Sequence, residues 1–219
     1  MRTLIEILVV PIPLVAGYAA FADGGWRGLL GVAAGAAVSL GLAARSLKTT
    51  GPGWRALGLS RPPRAGMTVL WCLATLVVVA LIGGILHNVF LFLRVPPAPA
   101  GYPQGLNGNP VFLGLALILV WAVSLGEELL FRGFIMDRIL RRLPEGKEGV
   151  QAAVFVCAVL YGLAHLPRGG QAAIVSGAAG LGYGAMYFGS GRCLWVTVAA
   201  HGVLETLAVL GSMNAPGDG

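Results

Sequence analysis

Residues 67–93 pass without a single Asp, Glu, Lys or Arg. Wound as an α-helix, such a stretch is about 40 Å long. That exceeds the roughly 30 Å hydrocarbon core of a bilayer, so the segment is long enough to cross and to tilt. Six further stretches share its character, at about residues 4–21, 28–44, 111–142, 149–166, 171–188 and 194–210, the fourth ending in an amphipathic extension. A chain of 219 residues that is 57% hydrophobic and only 11% charged has no use for these runs in water. The expected fold is all-α, a polytopic membrane protein with about seven transmembrane helices and an active site inside the helix bundle. Thirty-four glycines suit that fold by letting helix backbones approach. Gly28, Gly31 and Gly35 in the second span and Ser176, Gly180 and Gly184 in the sixth form small-residue stripes for packing.

Charge orients the bundle. Residues 45–66 carry Arg45, Lys48, Arg55, Arg61 and Arg64 with no acid, and Arg138, Arg141, Arg142 and Lys147 follow the fourth span. The positive-inside rule puts both groups in the cytoplasm, with the N-terminus cytoplasmic, the C-terminus external and the loop at 94–110 outside. Within the basic loop Trp54, Leu57 and Leu59 read as a short interfacial segment. These loops account for the net charge of +6, and no nucleic-acid motif accompanies it. Met1-Arg2 before an apolar run mimics a signal peptide, but Glu6, Pro11 and Pro13 favour a retained helix. Cys72, Cys157 and Cys193 show no metal-ligand spacing and read as small buried apolar residues without a disulfide framework. The chain divides into N-terminal helices with the basic loop (1–110), a core that carries the chemistry (111–211) and a short tail (212–219).

The chemistry starts where the apolar run 111–123 gives way to SLGEELLFR at 124–132. A charge at bilayer depth costs a few kcal/mol, so such side chains face a protein interior or a wet cavity. Glu128 and Arg132 are four apart and can pair on one helix face. Glu127 points about 100° away from Glu128. Lacking a partner on its own segment, it is free for chemistry with another helix, although a purely structural charge cluster fits this segment as well. The fifth span ends with Tyr161 and His165 four apart, and the seventh holds His201 and Glu205 at the same spacing. His87, beside Asn88, reads as an interhelical hydrogen-bonding residue. Two histidines and two carboxylates on three helices are the groups of acid–base pairs and also metal ligands. A cavity lined by Glu127, His165, His201 and Glu205 could activate water for attack on an amide. The helical zinc-protease spacing HExxH is absent. A proton- or ion-coupled transporter would use the same residues, but the paired, Pro/Gly-interrupted spans of inverted repeats are missing; a non-catalytic membrane scaffold is a third reading.

The ordered motifs EExxxR (Glu127, Glu128, Arg132), aromatic-xxx-His (Tyr161, His165) and Hxxx plus a polar residue (His201, Glu205) resemble the CAAX prenyl protease and bacteriocin-processing (CPBP, or Abi) family of intramembrane endopeptidases, over about residues 111–210. Two positions depart from its pattern: Tyr161 stands where Phe is usual, and Glu205 where Asn or Asp is usual. The resemblance implies Glu127 as general base, His165 as its partner, His201 as oxyanion donor, Tyr161 as a site-lining residue, and the Glu128–Arg132 pair as support. An ionised Glu205 cannot donate to an oxyanion, so it would be protonated, orient His201, or bind a metal. The family has been described both as metalloproteases and as metal-free enzymes. The cofactor is thus none or a divalent metal such as zinc, held by Glu127, His165, His201 and Glu205; four protein ligands leave no place for water, which favours the metal-free form. Expected partners are membrane lipids and a peptide or protein substrate, such as a prenylated CAAX-type C-terminus, a bacteriocin leader peptide or a membrane protein. Counting from the span ends places Glu127 past mid-helix toward the cytoplasm and His165 near the outer end of its span. If they meet, the fifth helix sits deeper, the fourth is displaced outward, or the boundaries differ.

Overall fold

The structure, a computed structural model, describes residues 2–21, 25–60, 64–96 and 109–213. Arg61, most of the predicted external loop and the end of the tail lie outside the described residues. The elements are α1 (Arg2–Val9), α2 (Ile12–Phe21), α3 (Gly25–Thr50), α4 (Ala65–Phe92), α5 (Pro110–Glu128), a π-helical turn (Leu129–Ile135), α6 (Met136–Leu140), α7 (Lys147–Ala164), a 3₁₀ turn (Leu166–Arg168), α8 (Gly170–Gly189) and α9 (Leu194–Ser212). Among the described residues there is no strand. Six helical segments are long and apolar enough to cross a membrane: Thr3–Ala20, Gly25–Thr49, Ala65–Phe92, Pro110–Leu140, Lys147–Ala164 and Leu194–Ser212. The fold is therefore an all-α polytopic membrane protein. The sixth predicted span is helical as α8, but its many Gly and Ala residues dilute its hydropathy, which leaves six apolar spans where seven were expected.

The first span is broken between α1 and α2. Pro11 lacks a backbone N–H and its ring obstructs the preceding turn, so the helix restarts at Ile12, where Pro13 in the first turn is tolerated. From there α2 and α3 pack as a hairpin at near backbone contact. A Cβ added at Gly17 would lie 2.5 Å from the Gly31 carbonyl oxygen, and one at Gly35 would fall on the carbonyl oxygen of Pro13. Only glycine permits that approach. The predicted stripe in α8 also works as a packing surface, with Gly180 against Ala158 and Gly184 against Val154 of α7.

The helix predicted to run unbroken to about residue 142 is wound as a π-helix over Leu129–Ile135, all seven residues of it buried. The Phe131 carbonyl in this turn accepts the Cys157 thiol at 3.2 Å. Of the three cysteines, all free, only Cys157 is buried; Cys72 and Cys193 are half-buried. The basic loop also differs from expectation. Residues 54–58 form turns, and Leu57 is fully buried in the core instead of lying at an interface. Its carbonyl accepts the Tyr187 hydroxyl at 2.8 Å, and the Gly58 carbonyl accepts the Leu194 amide at 3.1 Å, which seals the loop onto the connection between α8 and α9. At the same end Arg138 pairs with Glu6 at 3.0 Å and donates to Ser46 at 2.9 Å, fastening α1 and α3 to α6. Arg45, Lys48, Arg138, Arg141 and Lys147 thus gather at one end of the bundle.

The depth conflict between Glu127 and His165 disappears once distance is counted from the turn joining α6 to α7. Glu127 lies thirteen residues before Leu140, and Tyr161 lies fourteen residues after Lys147. Antiparallel helices rising equally from one turn bring those two positions level.

Candidate active site

At that level, on the side away from the basic end, α2, α3, α4, α5, α7, α8 and α9 enclose a cavity of about 280 Å³. Most of its exposed wall is apolar, with aliphatic residues such as Leu29, Val79, Val120 and Leu204 making up about half of the lining. The polar groups converge on one side.

Glu127 is the centre of that side and is only 3% exposed. The Tyr18 hydroxyl of α2 donates to its Oε1, and the Tyr161 hydroxyl of α7 donates to its Oε2 at 2.7 Å. Hydrogen bonds to an ionised acceptor are the strong ones, and two donors on opposite oxygens fix the plane of the carboxylate. The hydroxyl that distinguishes Tyr161 from Phe is thus in use. His165 follows the last residue of α7, and its Nδ1–H donates to the Tyr161 carbonyl at 2.8 Å. That bond sets the tautomer and leaves Nε2 as the acceptor. Its ring packs at a tilt of 40° against Tyr18, with centroids 4.3 Å apart, and meets Tyr161 edge-on at 4.6 Å.

The predicted ion pair is present, with Arg132 Nη1 donating to Glu128 Oε1 at 3.0 Å, and both side chains are buried. The same oxygen accepts Nδ1–H of His201 at 3.0 Å. Glu128 therefore joins the two motifs that lie on different helices. The Arg132 guanidinium lies over the Tyr161 ring at 4.3 Å and over the Tyr183 ring at 5.0 Å, and Tyr183 stacks on His201. With Nδ1 committed to Glu128, His201 presents Nε2 to the cavity, 4.0 Å from Glu127 Oε2 and 3.9 Å from Glu205 Oε1. Glu205, its side chain 34% exposed, lies toward the cavity mouth. Arg168 also lines the cavity. His87 is exposed on α4, and Asn88 spends its amide on the Gly84 carbonyl of its own helix, so the expected interhelical role is not realised there.

All four predicted site residues, with Tyr161, line one cavity. As a metal-binding set they fit poorly. Among the described residues no three His, Cys, Asp or Glu side chains are arranged to hold a metal ion. The Glu127 oxygens already accept from two phenols, while each histidine bonds through Nδ1 and keeps Nε2 free, so the poor fit lies in the spacing of the groups and not in the histidines.

Four polar residues of the site, Tyr18, Ser124, Arg168 and Tyr183, were given no role in the sequence reading. Tyr18 sits in an apolar run, 109 positions from the carboxylate it touches, and no spacing rule reaches that far. Ser124 lies one turn ahead of Glu127 and Glu128, a position that did signal it. Its hydroxyl is buried in the cavity wall without a hydrogen-bond partner, open to a bound water or a substrate carbonyl.

Residues 109–207, just under half of the chain, match the family model described as type II CAAX prenyl endopeptidase Rce1-like. The match agrees with the resemblance carried by the three motifs and takes in Glu127, Glu128, Arg132, Tyr161, His165, His201 and Glu205, but not Tyr18. No curated protein and no solved structure matches the chain.

Proposed function

We propose that this chain, which carries an Rce1-like domain at residues 109–207, is an intramembrane endopeptidase that hydrolyses peptide bonds of substrates delivered through the bilayer. The observation that carries the reading is Glu127, a carboxylate held by two phenols inside a largely apolar cavity, with His201 Nε2 4.0 Å from it. Glu127 takes a proton from a water molecule as the water oxygen bonds to the scissile carbonyl carbon and the C=O π pair moves onto oxygen. As the tetrahedral intermediate collapses, the C–N bond breaks and the proton passes from Glu127 to the leaving amine. His165 Nε2 accepts the second water proton as a hydrogen bond and holds the water in line.

His201 donates to the oxyanion through Nε2–H when its ring carries both protons, and the Glu128 carboxylate on Nδ1 keeps it aimed. The Ser124 hydroxyl is a second donor on the same wall. Glu205, 3.9 Å from His201 Nε2, orients that ring instead of donating to the oxyanion. The aliphatic lining suits apolar side chains on either side of the cleaved bond. Candidate substrates are prenylated CAAX-type C-termini, bacteriocin leader peptides and membrane proteins.

The direct test is a cleavage assay on purified protein against a panel of prenylated peptides and a panel of leader peptides, with wild type and Glu127→Gln side by side. Cleavage of at least one panel, abolished in Glu127→Gln, is the expected result. Cleavage that survives Glu127→Gln undiminished would remove Glu127 from the mechanism.

A further inference from the structure

We infer that Tyr18 is a positioning residue for Glu127, and therefore that α2, outside the family-matched segment, is a working part of the catalytic site. The inference rests on the reading of Glu127 as general base. A carboxylate held by one donor can turn about its last side-chain bond; one held through each oxygen cannot. Tyr161 supplies one donor from within residues 109–207, and Tyr18 supplies the other from α2. The same Tyr18 ring packs against the His165 ring, centroids 4.3 Å apart, and lies under the Arg168 guanidinium at 5.9 Å, so one side chain sets the spacing between the base and its histidine. Its own placement is rigid. The neighbouring Gly17 puts α2 at backbone contact with Gly31 of α3, and Tyr18 is 2% exposed.

A phenol that merely satisfied a buried acid would be replaceable at no cost in rate. One that aims the acid would not, because small misplacements of a catalytic group cost up to about 10²-fold. The test compares Tyr18→Phe, Glu127→Gln and the double variant in two readouts: kcat and KM on a peptide that wild type cleaves, and the infrared carboxylate band assigned to Glu127 by its loss in Glu127→Gln. The expected result for Tyr18→Phe is a kcat lower by about tenfold or more with KM little changed, together with a shifted Glu127 band. 3-Fluorotyrosine at position 18, the same shape with a more acidic hydroxyl, should move the band in the opposite direction. In the double variant the shifted band seen in Tyr18→Phe should be absent, which assigns it to Glu127.

A Glu127 band and a kcat unchanged in Tyr18→Phe would overturn the inference while leaving the base assignment intact. A shifted band that persists in the double variant would not belong to Glu127 and would also overturn it. Wild-type cleavage by Glu127→Gln would bring down the base assignment, and the role of Tyr18 with it.

Discussion

At the scale of single residues the adjacent acids Glu127 and Glu128 do different work because a helix turns 100° between them. Glu128 faces Arg132 and His201, and removing the guanidinium leaves its carboxylate in a dry interior. Arg132→Ala should therefore cost about 3 to 5 kcal/mol of stability, with activity lost as a consequence; a wild-type melting curve in detergent would contradict the ion-pair picture. Ser124→Ala is expected to behave in the opposite way. Its hydroxyl has no partner to lose, so stability should hold or rise slightly, while kcat falls severalfold if the hydroxyl meets the oxyanion. Glu205→Asn should keep activity within a few fold, since Glu205 lies 3.9 Å from His201 Nε2, beyond hydrogen-bond distance, and Asn adds a donor. Loss of activity together with stoichiometric bound zinc, read by elemental analysis, would refute that. The Glu128–Arg132 pair was legible from spacing alone. The bond from Glu128 to His201 was not, because it joins helices 73 positions apart in sequence.

The element that most affects the site without belonging to its motifs is the α2–α3 hairpin. Gly31 and Gly35 were readable as a packing stripe, but nothing in the sequence said that the helix packed against them would be α2, or that the contact would carry Tyr18 to Glu127. Gly35→Ala puts a methyl group on the Pro13 carbonyl oxygen, so α2 must move. The expected outcome is a lower melting temperature and a fall in kcat larger than the stability loss explains, because Tyr18 moves with its helix. Full activity in Gly35→Ala would mean that the hairpin gives way without disturbing the site. The break at Pro11 was signalled by the prolines themselves. The failure of α8 to qualify as an apolar span was not, since it depends on how far glycine and alanine dilute a run that is still helical.

For the whole molecule, the gathering of Arg45, Lys48, Arg138, Arg141 and Lys147 at one end, with the cavity on the other side of the π turn, makes orientation a functional variable. We propose, by the positive-inside rule, that the basic end is cytoplasmic and that the cavity opens toward the other side. A cysteine placed at exposed Lys147 should then react with a membrane-impermeant thiol reagent only in inverted vesicles; labelling from the outside would reverse the orientation. The long apolar spans made the bundle itself legible. The level of the site was not, because depth was counted from span ends, and the fourth span, at 31 residues, is longer than the hydrocarbon core it has to cross.

The π turn between Glu128 and Met136 is an α-helix with one residue inserted. Wound as α, all its residues would leave everything beyond it out of phase by about 100°, enough to swing Arg138 off Glu6. The insertion is absorbed locally, so the two halves of the helix keep the facing they would have in a chain one residue shorter. The consequence is an asymmetry in tolerance to deletion. Losing one residue within 129–135, such as Leu129, closes the turn to α and leaves Glu127 and Arg138 each indexed to its own partner, whereas losing one from Pro110–Glu128 shifts every carboxylate and cation downstream to a new face.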